Sequence, residues 1–350
     1  MKKKSLICLV VIFSLWSSTA AHAGPKWELG DSSWMKLGFL GQVHFAYNEN
    51  GPVENDFYLR RGRVILSGQI TDNIKFFMET DNPNAGKNGA SSSMDIQDAF
   101  MDIRLAGSSH WVEGGLILLP FSMENFSSAA SLLGNDYNSE VIKFTNHFVW
   151  RDYGIMLHGD FGKKLAYRIG VFDGYDAAGS AKNPDAELRF TGHVAYSIIG
   201  DVETGWFYTQ DKLAKGNSLT IGIGHDIQNA ATLKEAVEID SKAWVVDVQS
   251  SAKVGETIYG AIDLIINGAY YDWDNASFVG NTFFVETGAR VNKTMVTLKY
   301  TSQDRKNSAC VEDITVGLYY YFKGHNARGG LEYRTGDQSD MVLLGIQFLL

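Results

Sequence analysis

The strongest constraint on this chain is a two-residue period: apolar and polar side chains alternate in segments of roughly ten residues along most of its length. In 35–47, Met35, Leu37, Phe39, Val43, Phe45 and Tyr47 share one face, while Lys36, Gln42 and His44 share the other. In 187–198, Leu188, Phe190, Val194, Tyr196 and Ile198 oppose Glu187, Arg189, Thr191, His193 and Ser197. Residues 312–322 and the last ten residues repeat the pattern. Successive side chains of a β-strand point to opposite faces, so each such segment reads as a strand with one apolar face. After Gly24 no stretch approaches the roughly 18 apolar residues of a transmembrane helix. Strands survive in a bilayer only as a closed barrel, in which every backbone group is paired. In water the same alternation would serve a sandwich with one wet face.

Spacing separates these readings. Sixteen strands are predicted near 35–47, 57–70, 74–81, 96–105, 110–118, 151–161, 165–173, 187–198, 218–227, 242–252, 257–271, 282–291, 294–301, 312–322, 327–335 and 341–350. The links alternate between short turns, such as Thr71-Asp72-Asn73 and Asn292-Lys293, and longer ones at 48–56, 82–95, 119–150, 174–186, 228–241, 272–281 and 302–311. Short turns on one side and long loops on the other are the signature of an outer-membrane barrel. Residues 199–217 fall on the short side yet are long, and a strand extension around Trp206 and Tyr208 would raise the count to 18. The expected fold is therefore all-β: a 16-stranded antiparallel transmembrane β-barrel, with 18 strands as the variant. Tyr319 to Phe322, Tyr270, Tyr271, Trp273, Phe283 and Phe284 lie near strand ends, where an aromatic girdle is expected.

The amino terminus fits export. Lys2, Lys3 and Lys4 precede an apolar stretch from Leu6 to Trp16, and Ala21-His22-Ala23 supplies the small residues of a cleavage site before Gly24. Residues 1–23 are thus expected to be a signal peptide and 24–350 the barrel. Removing them leaves 28 basic against 40 acidic residues, a net −12, and only Cys310, so the mature chain has neither an internal disulfide nor a thiolate metal cluster. With 36 glycines and 5 prolines, the composition suits many short strands.

An Arg facing lipid near the midplane costs about 2–4 kcal/mol, so charges inside strands should face the lumen or the rim. The alternation puts Arg61, Arg63, Lys75, Arg104, Arg168, Arg189, Arg290 and Lys299 opposite the apolar face. Guanidinium groups offer fixed donors to phosphate or carboxylate, which suits an anion path. The same face carries Glu79, Asp98, Asp102, Glu113, Asp160, Asp247, Asp263, Glu286 and Glu332, so a charge-paired wall without selectivity stands beside that reading.

The stretch Phe57-Tyr58-Leu59-Arg60-Arg61-Gly62-Arg63-Val64-Ile65-Leu66-Ser67-Gly68 resembles the arginine-bearing second strand of the phosphate-selective porin O and P family. The likeness continues through Leu119-Pro120-Phe121-Ser122-Met123-Glu124, Arg151-Asp152-Tyr153-Gly154, Val171-Phe172-Asp173-Gly174, and Tyr320-Tyr321-Phe322-Lys323-Gly324-His325-Asn326-Ala327-Arg328, in the family's order. This resemblance implies a homotrimeric outer-membrane porin for passive diffusion of small hydrophilic solutes or inorganic anions such as phosphate, without a cofactor. It implies that 119–150, with Phe121, Glu124, Asp136 and Lys143, folds into the lumen as a constriction. It also implies that Arg60 and Arg61, with Arg151 beyond the loop, belong to an anion ladder. The sequence departs from the pattern in three places. The loop carries Lys143 against Glu124, Asp136 and Glu140; Arg328 stands where a lysine is common; and the chain ends Phe348-Leu349-Leu350 rather than on an aromatic.

Other chemistries find less support. His147, His158 and His193 lie in no nucleophile motif, so an outer-membrane enzyme is the weakest alternative. Gly222-Ile223-Gly224 lacks the context of a nucleotide fingerprint. Asp272-Trp273-Asp274-Asn275 is better explained by turn chemistry than by calcium. No metal-ligand spacing and no basic run for nucleic acid is present. A barrel sheath around a partner protein would need a lumen without an obstructing loop, which 119–150 disfavours.

Overall fold

The computed structural model describes residues 24–49, 51–145, 150–174, 183–275, 278–306, 308–337 and 340–350. The expected signal peptide and its cleavage site before Gly24 begin outside them. A short strand, β1 (Lys26–Glu28), precedes sixteen long ones. These are β2 (Trp34–Tyr47), β3 (Asn55–Thr71), β4 (Ile74–Asp81), β5 (Asp95–Arg104), β6 (Trp111–Leu118), β7 (Arg151–Phe161), β8 (Leu165–Phe172) and β9 (Arg189–Ile199). They continue with β10 (Ser218–Lys234), β11 (Val237–Thr257), β12 (Gly260–Asn275), β13 (Phe278–Val291), β14 (Thr294–Arg305), β15 (Val311–Tyr321), β16 (Ala327–Gly336) and β17 (Met341–Leu349). Each long strand pairs antiparallel with its successor, and β17 returns to β2 with Gln347 opposite Gln42, closing a sixteen-stranded barrel. β1 lies along β2, Trp27 opposite Met35. Closure removes the free edges that an open sheet would expose.

The two faces of this wall are chemically opposite. Leu37, Val43, Ile155, Ile223, Val246 and Leu318 are exposed on the outside. Gln42, His44, Asp98, Glu113, Asp247, Glu286 and Gln347 are buried on the inside. An apolar exterior around a charged interior inverts the order of a soluble protein and matches a lipid-facing barrel. Among the described residues no helix is long and apolar enough to cross a membrane, so the strands do the crossing.

Three expectations need correction. Residues 228–241 and 272–281 are mostly strand, not loop: β10 and β11 run on to a two-residue turn at Glu235 and Ala236, with φ of 53° and 62°. Such turns normally advertise themselves with Asn or Gly, and neither is present here. Residues 200–217 form no further strand but fold inside the barrel, so the count is sixteen. The proposed aromatic girdle divides by the strand period. Tyr270, Phe283, Tyr320 and Phe322 face out, whereas Tyr271, Trp273, Phe284, Tyr319 and Tyr321 face in and are buried.

Candidate functional site

The double arginine of β3 owes its placement to a bulge. The β2–β3 register runs Gln42 opposite Arg61 and then Val43 opposite Leu59, which leaves Arg60 as the extra residue. Strict alternation would send one of two consecutive arginines to lipid; the bulge turns both inward. Both then grip one carboxylate of 119–150. Arg60 binds Asp136 through Nε and through Nη2 at 3.0 Å, and Arg61 donates Nη2 to the same carboxylate at 2.8 Å and Nη1 to Gln42 at 2.6 Å. Burial opposes ionisation of Asp136, but Arg60 and Arg61 hold its carboxyl well below the usual carboxylate range.

The described part of this loop, residues 119–145, enters from the long-loop end and runs inside the barrel as irregular chain followed by a short helix, α1 (Ser139–Thr145). Irregular backbone at this depth must find partners, and the wall supplies them. Gln42 Nε2 donates to Ala129 O at 3.0 Å, Gln347 Nε2 to Ala130 O at 2.9 Å, and Arg328 to Leu132 O at 2.5 Å and Gly134 O at 2.9 Å. Asp247 accepts Met123 N–H at 2.7 Å, and Glu332 accepts Asn135 N–H at 2.7 Å. Leu119, Met123, Phe126 and Leu132 form an apolar cluster with Phe77, Phe100 and Ile117. Phe121 meets Tyr271 and Trp273. Its carbonyl passes so close to Gly224 that a Cβ there would lie 1.9 Å from the oxygen, which explains the strand glycine of Gly222-Ile223-Gly224. Burial pushes the Glu124 carboxyl up to about 7 against the pull of Lys299. Lys143 lies on α1, its side chain outside the described set, as is His147.

Residues 200–217 enter from the opposite, short-turn end. Trp206 and Phe207 pack edge-to-face against Phe77, at 5.2 and 5.5 Å between ring centres. Arg168 donates to Tyr208 OH and Gly205 O, both at 2.7 Å, while its guanidinium carbon sits 4.4 Å from the centre of the Tyr208 ring. Asp211, fully buried, accepts Arg290 Nη1 at 2.7 Å and Tyr321 OH at 2.9 Å. The two inserted segments meet in the middle: Tyr208 N–H donates to Phe126 O at 3.1 Å, Ser128 N–H to Tyr208 O at 2.9 Å, and Asp211 N–H to Ser131 O at 3.0 Å. No sequence signal marked Asp211, Gln42 or Gln347 as anchors; only the excess length of 199–217 pointed to that segment.

The other basic residues singled out from the alternation are distributed along the wall. Arg63 pairs with Glu79 at 2.7 Å and Asp81 at 2.9 Å, Arg151 with Asp98 at 2.8 Å, and Arg189 with Asp226 at 2.6 Å, all buried. Lys75 and Arg104 sit near the short-turn rim, partly exposed, over the Trp111 ring. His158 lies against Asp102 and His193 against Asp247, neither beside a nucleophile arrangement. A small cleft between the inserted loop and the wall is lined by Gln42, His44, Asn135, Arg328 and Gln347.

A closed sixteen-stranded barrel with an apolar outer band, a charged interior and a long loop folded inward is the architecture of an outer-membrane porin, a channel for passive diffusion rather than an enzyme. Known structures agree in fold. OmpF of Salmonella typhi, solved with daunomycin, shares 12% identity over 91% of this chain and 98% of its own, with a TM-score of 0.62. The anion-selective porin of Comamonas acidovorans shares 14% over 91% and 100%, with a TM-score of 0.61. OmpT of Vibrio cholerae, in a trimer form, shares 12% over 91% and 100%, with a TM-score of 0.58. No curated protein matches. The family description "Phosphate-selective porin O and P" matches residues 38–216, just over half of the chain, and the chain belongs to that family.

Proposed function

We propose that this porin passes small hydrophilic solutes or ions with a preference for anions such as phosphate, and that 119–150 is its constriction. The observation that carries the preference is the paired arginines of β3: Arg60 and Arg61 both turn into the lumen and share the single carboxylate of Asp136. At the long-loop mouth, Arg60, Arg61, Lys87 and Arg334 lie near one another against Asp136 and Asp56. Burial and the neighbouring Arg60 push the Lys87 ammonium down, as expected where cations crowd. A local excess of fixed positive charge sets sign preference in a narrow passage even when the whole chain is acidic. In this reading Arg60 and Arg61 are the upper end of the ladder, Lys75 and Arg104 the lower end, and Arg63, Arg151, Arg168 and Arg189 the charges between.

The trimer form of a structural relative supports assembly as a homotrimer in outer-membrane lipid, and the Lys-rich, apolar start of the chain supports export with cleavage before Gly24. The interior packed by two segments counts against a sheath around a partner protein. Reversal potential under a salt gradient in a planar bilayer, with phosphate competing against chloride current, tests the preference. An anion-selective reversal with phosphate block is expected; a cation-selective reversal would overturn the anion assignment. Mass measurement of the exported chain, expected to begin at Gly24, tests the signal peptide.

A further inference from the structure

A cluster that the porin reading leaves unused lies in the wall near the short-turn rim. Asp102 on β5 and Glu113 on β6 are direct cross-strand partners, and His158 on β7 reaches both. All three are buried. His158 Nε2 is 3.0 Å from Asp102 Oδ1 and 3.8 Å from Glu113 Oε2, and one ligand atom from each residue falls within 4.8 Å of the other two. A tetrahedral ion bound at about 2.0–2.1 Å holds its ligands roughly 3.3 Å apart, a spacing these distances bracket.

A second observation is the state of Glu113. Glu113 is 3% exposed, and among the described residues its one ion-pair contact is His158 at 3.8 Å, beyond hydrogen-bond range. Two like charges directly opposite on neighbouring strands repel, and a buried charge without a partner is costly. The cations nearby are engaged elsewhere: Lys75 sits 4.3 Å from the Trp111 ring centre, and Arg168 gives its Nη atoms to Tyr208 OH and Gly205 O. Asp102, in contrast, has its second oxygen fixed by Trp206 Nε1 at 3.2 Å. An outer-sphere donor of this kind is what orients a carboxylate toward a metal.

We propose that Asp102, Glu113 and His158 bind one divalent cation of the borderline class, for which zinc is the best match to a set of one imidazole nitrogen and two carboxylate oxygens. The ion would neutralise the opposed carboxylates and, through Asp102, brace Trp206 of the inserted 200–217 segment against the wall. The rival reading is a metal-free cluster in which His158 hydrogen-bonds Asp102 beside Glu113.

The test is zinc titration of the folded full-length protein in detergent, by calorimetry, with tryptophan fluorescence and thermal unfolding alongside. One zinc per chain with a raised melting temperature is expected. Affinity should fall at least about tenfold in Glu113→Gln and in His158→Gln, and remain unchanged in His110→Gln, which lies outside the cluster. Absence of saturable binding, or binding equal in all three variants, would overturn the proposal in favour of the metal-free cluster. Should either cluster variant fail to fold, zinc-edge absorption of the wild-type protein decides. A shell of one imidazole with carboxylate oxygens supports the site, and a thiolate or several imidazoles overturns it.

Discussion

The two segments inside the barrel reach the same place by different physics. Residues 119–145 bind the wall with backbone as well as side chains: carbonyls of Ala129, Ala130, Leu132 and Gly134 receive donors from Gln42, Gln347 and Arg328, and Asp136 is clasped by Arg60 and Arg61. Residues 200–217 are held chiefly through side chains, with Trp206 and Phe207 on Phe77, Tyr208 on Arg168, and Asp211 on Arg290 and Tyr321. A long irregular loop must satisfy many peptide groups to be buried at all, so the wall facing it is rich in Gln, Arg and Asp. A shorter insertion can instead rely on aromatic burial and a few buried ion pairs.

That contrast can be broken by substitution, and the largest effect belongs at Asp211. Asp211→Ala strips Arg290 and Tyr321 of a buried acceptor and should cost about 3–5 kcal/mol in urea unfolding of the detergent-solubilised protein. A loss no larger than a surface substitution gives would mean that 200–217 is not docked as described. In the other segment, Leu132→Ala removes a fully buried side chain at the centre of the shared cluster and should cost about 2–5 kcal/mol by the same measurement.

Asp136→Asn is the more informative change for transport. It leaves Arg60 and Arg61 without their counter-charge, so stability should fall by about 1–3 kcal/mol while the bilayer reversal potential moves further toward anions. An unchanged reversal potential would place the ion path away from β3. The smallest effect is a pH dependence. Glu124 is raised to about 7 from an ordinary 4.5, so the folded protein holds its proton where the unfolded chain has lost it. The contribution of Glu124 to stability is therefore fully present below pH 4.5 and is lost as pH climbs to about 7; Glu124→Gln should remove that component of the slope between these values. A wild-type slope of the opposite sign would show that another group governs the loop.

Much of this was readable along the chain, for reasons that differ by feature. Alternation in 35–47 sends Leu37 and Val43 outward and Gln42 and His44 inward as the pattern requires, because period two is a property of each strand alone. The alternation sends only Arg61 inward, and the inward turn of Arg60 as well came from a bulge, which is a relation between two strands and leaves no mark in the period of one of them. The strand ends around Glu235 and Ala236 were missed because the turn lacks Asn and Gly. Tyr271 and Tyr270 are identical side chains one residue apart, and which of them faces the loop followed only from the register. Lengths exposed both insertions, but the residues gripping them are spread from Gln42 to Gln347.

The sequence alone determined the class of structure. A strand's period, the lack of any long apolar run and the alternation of short and long links leave little but a closed barrel, since these are local properties that lipid and hydrogen bonding act on directly. Only the tertiary structure decided what the interior is. The loop's Asp136 pairs with the two arginines that the resemblance assigns to an anion ladder, and 200–217 meets 119–150 halfway. Burial and charge pairing depend on which residues distant in the chain come to share the lumen, and closure of the barrel settles that.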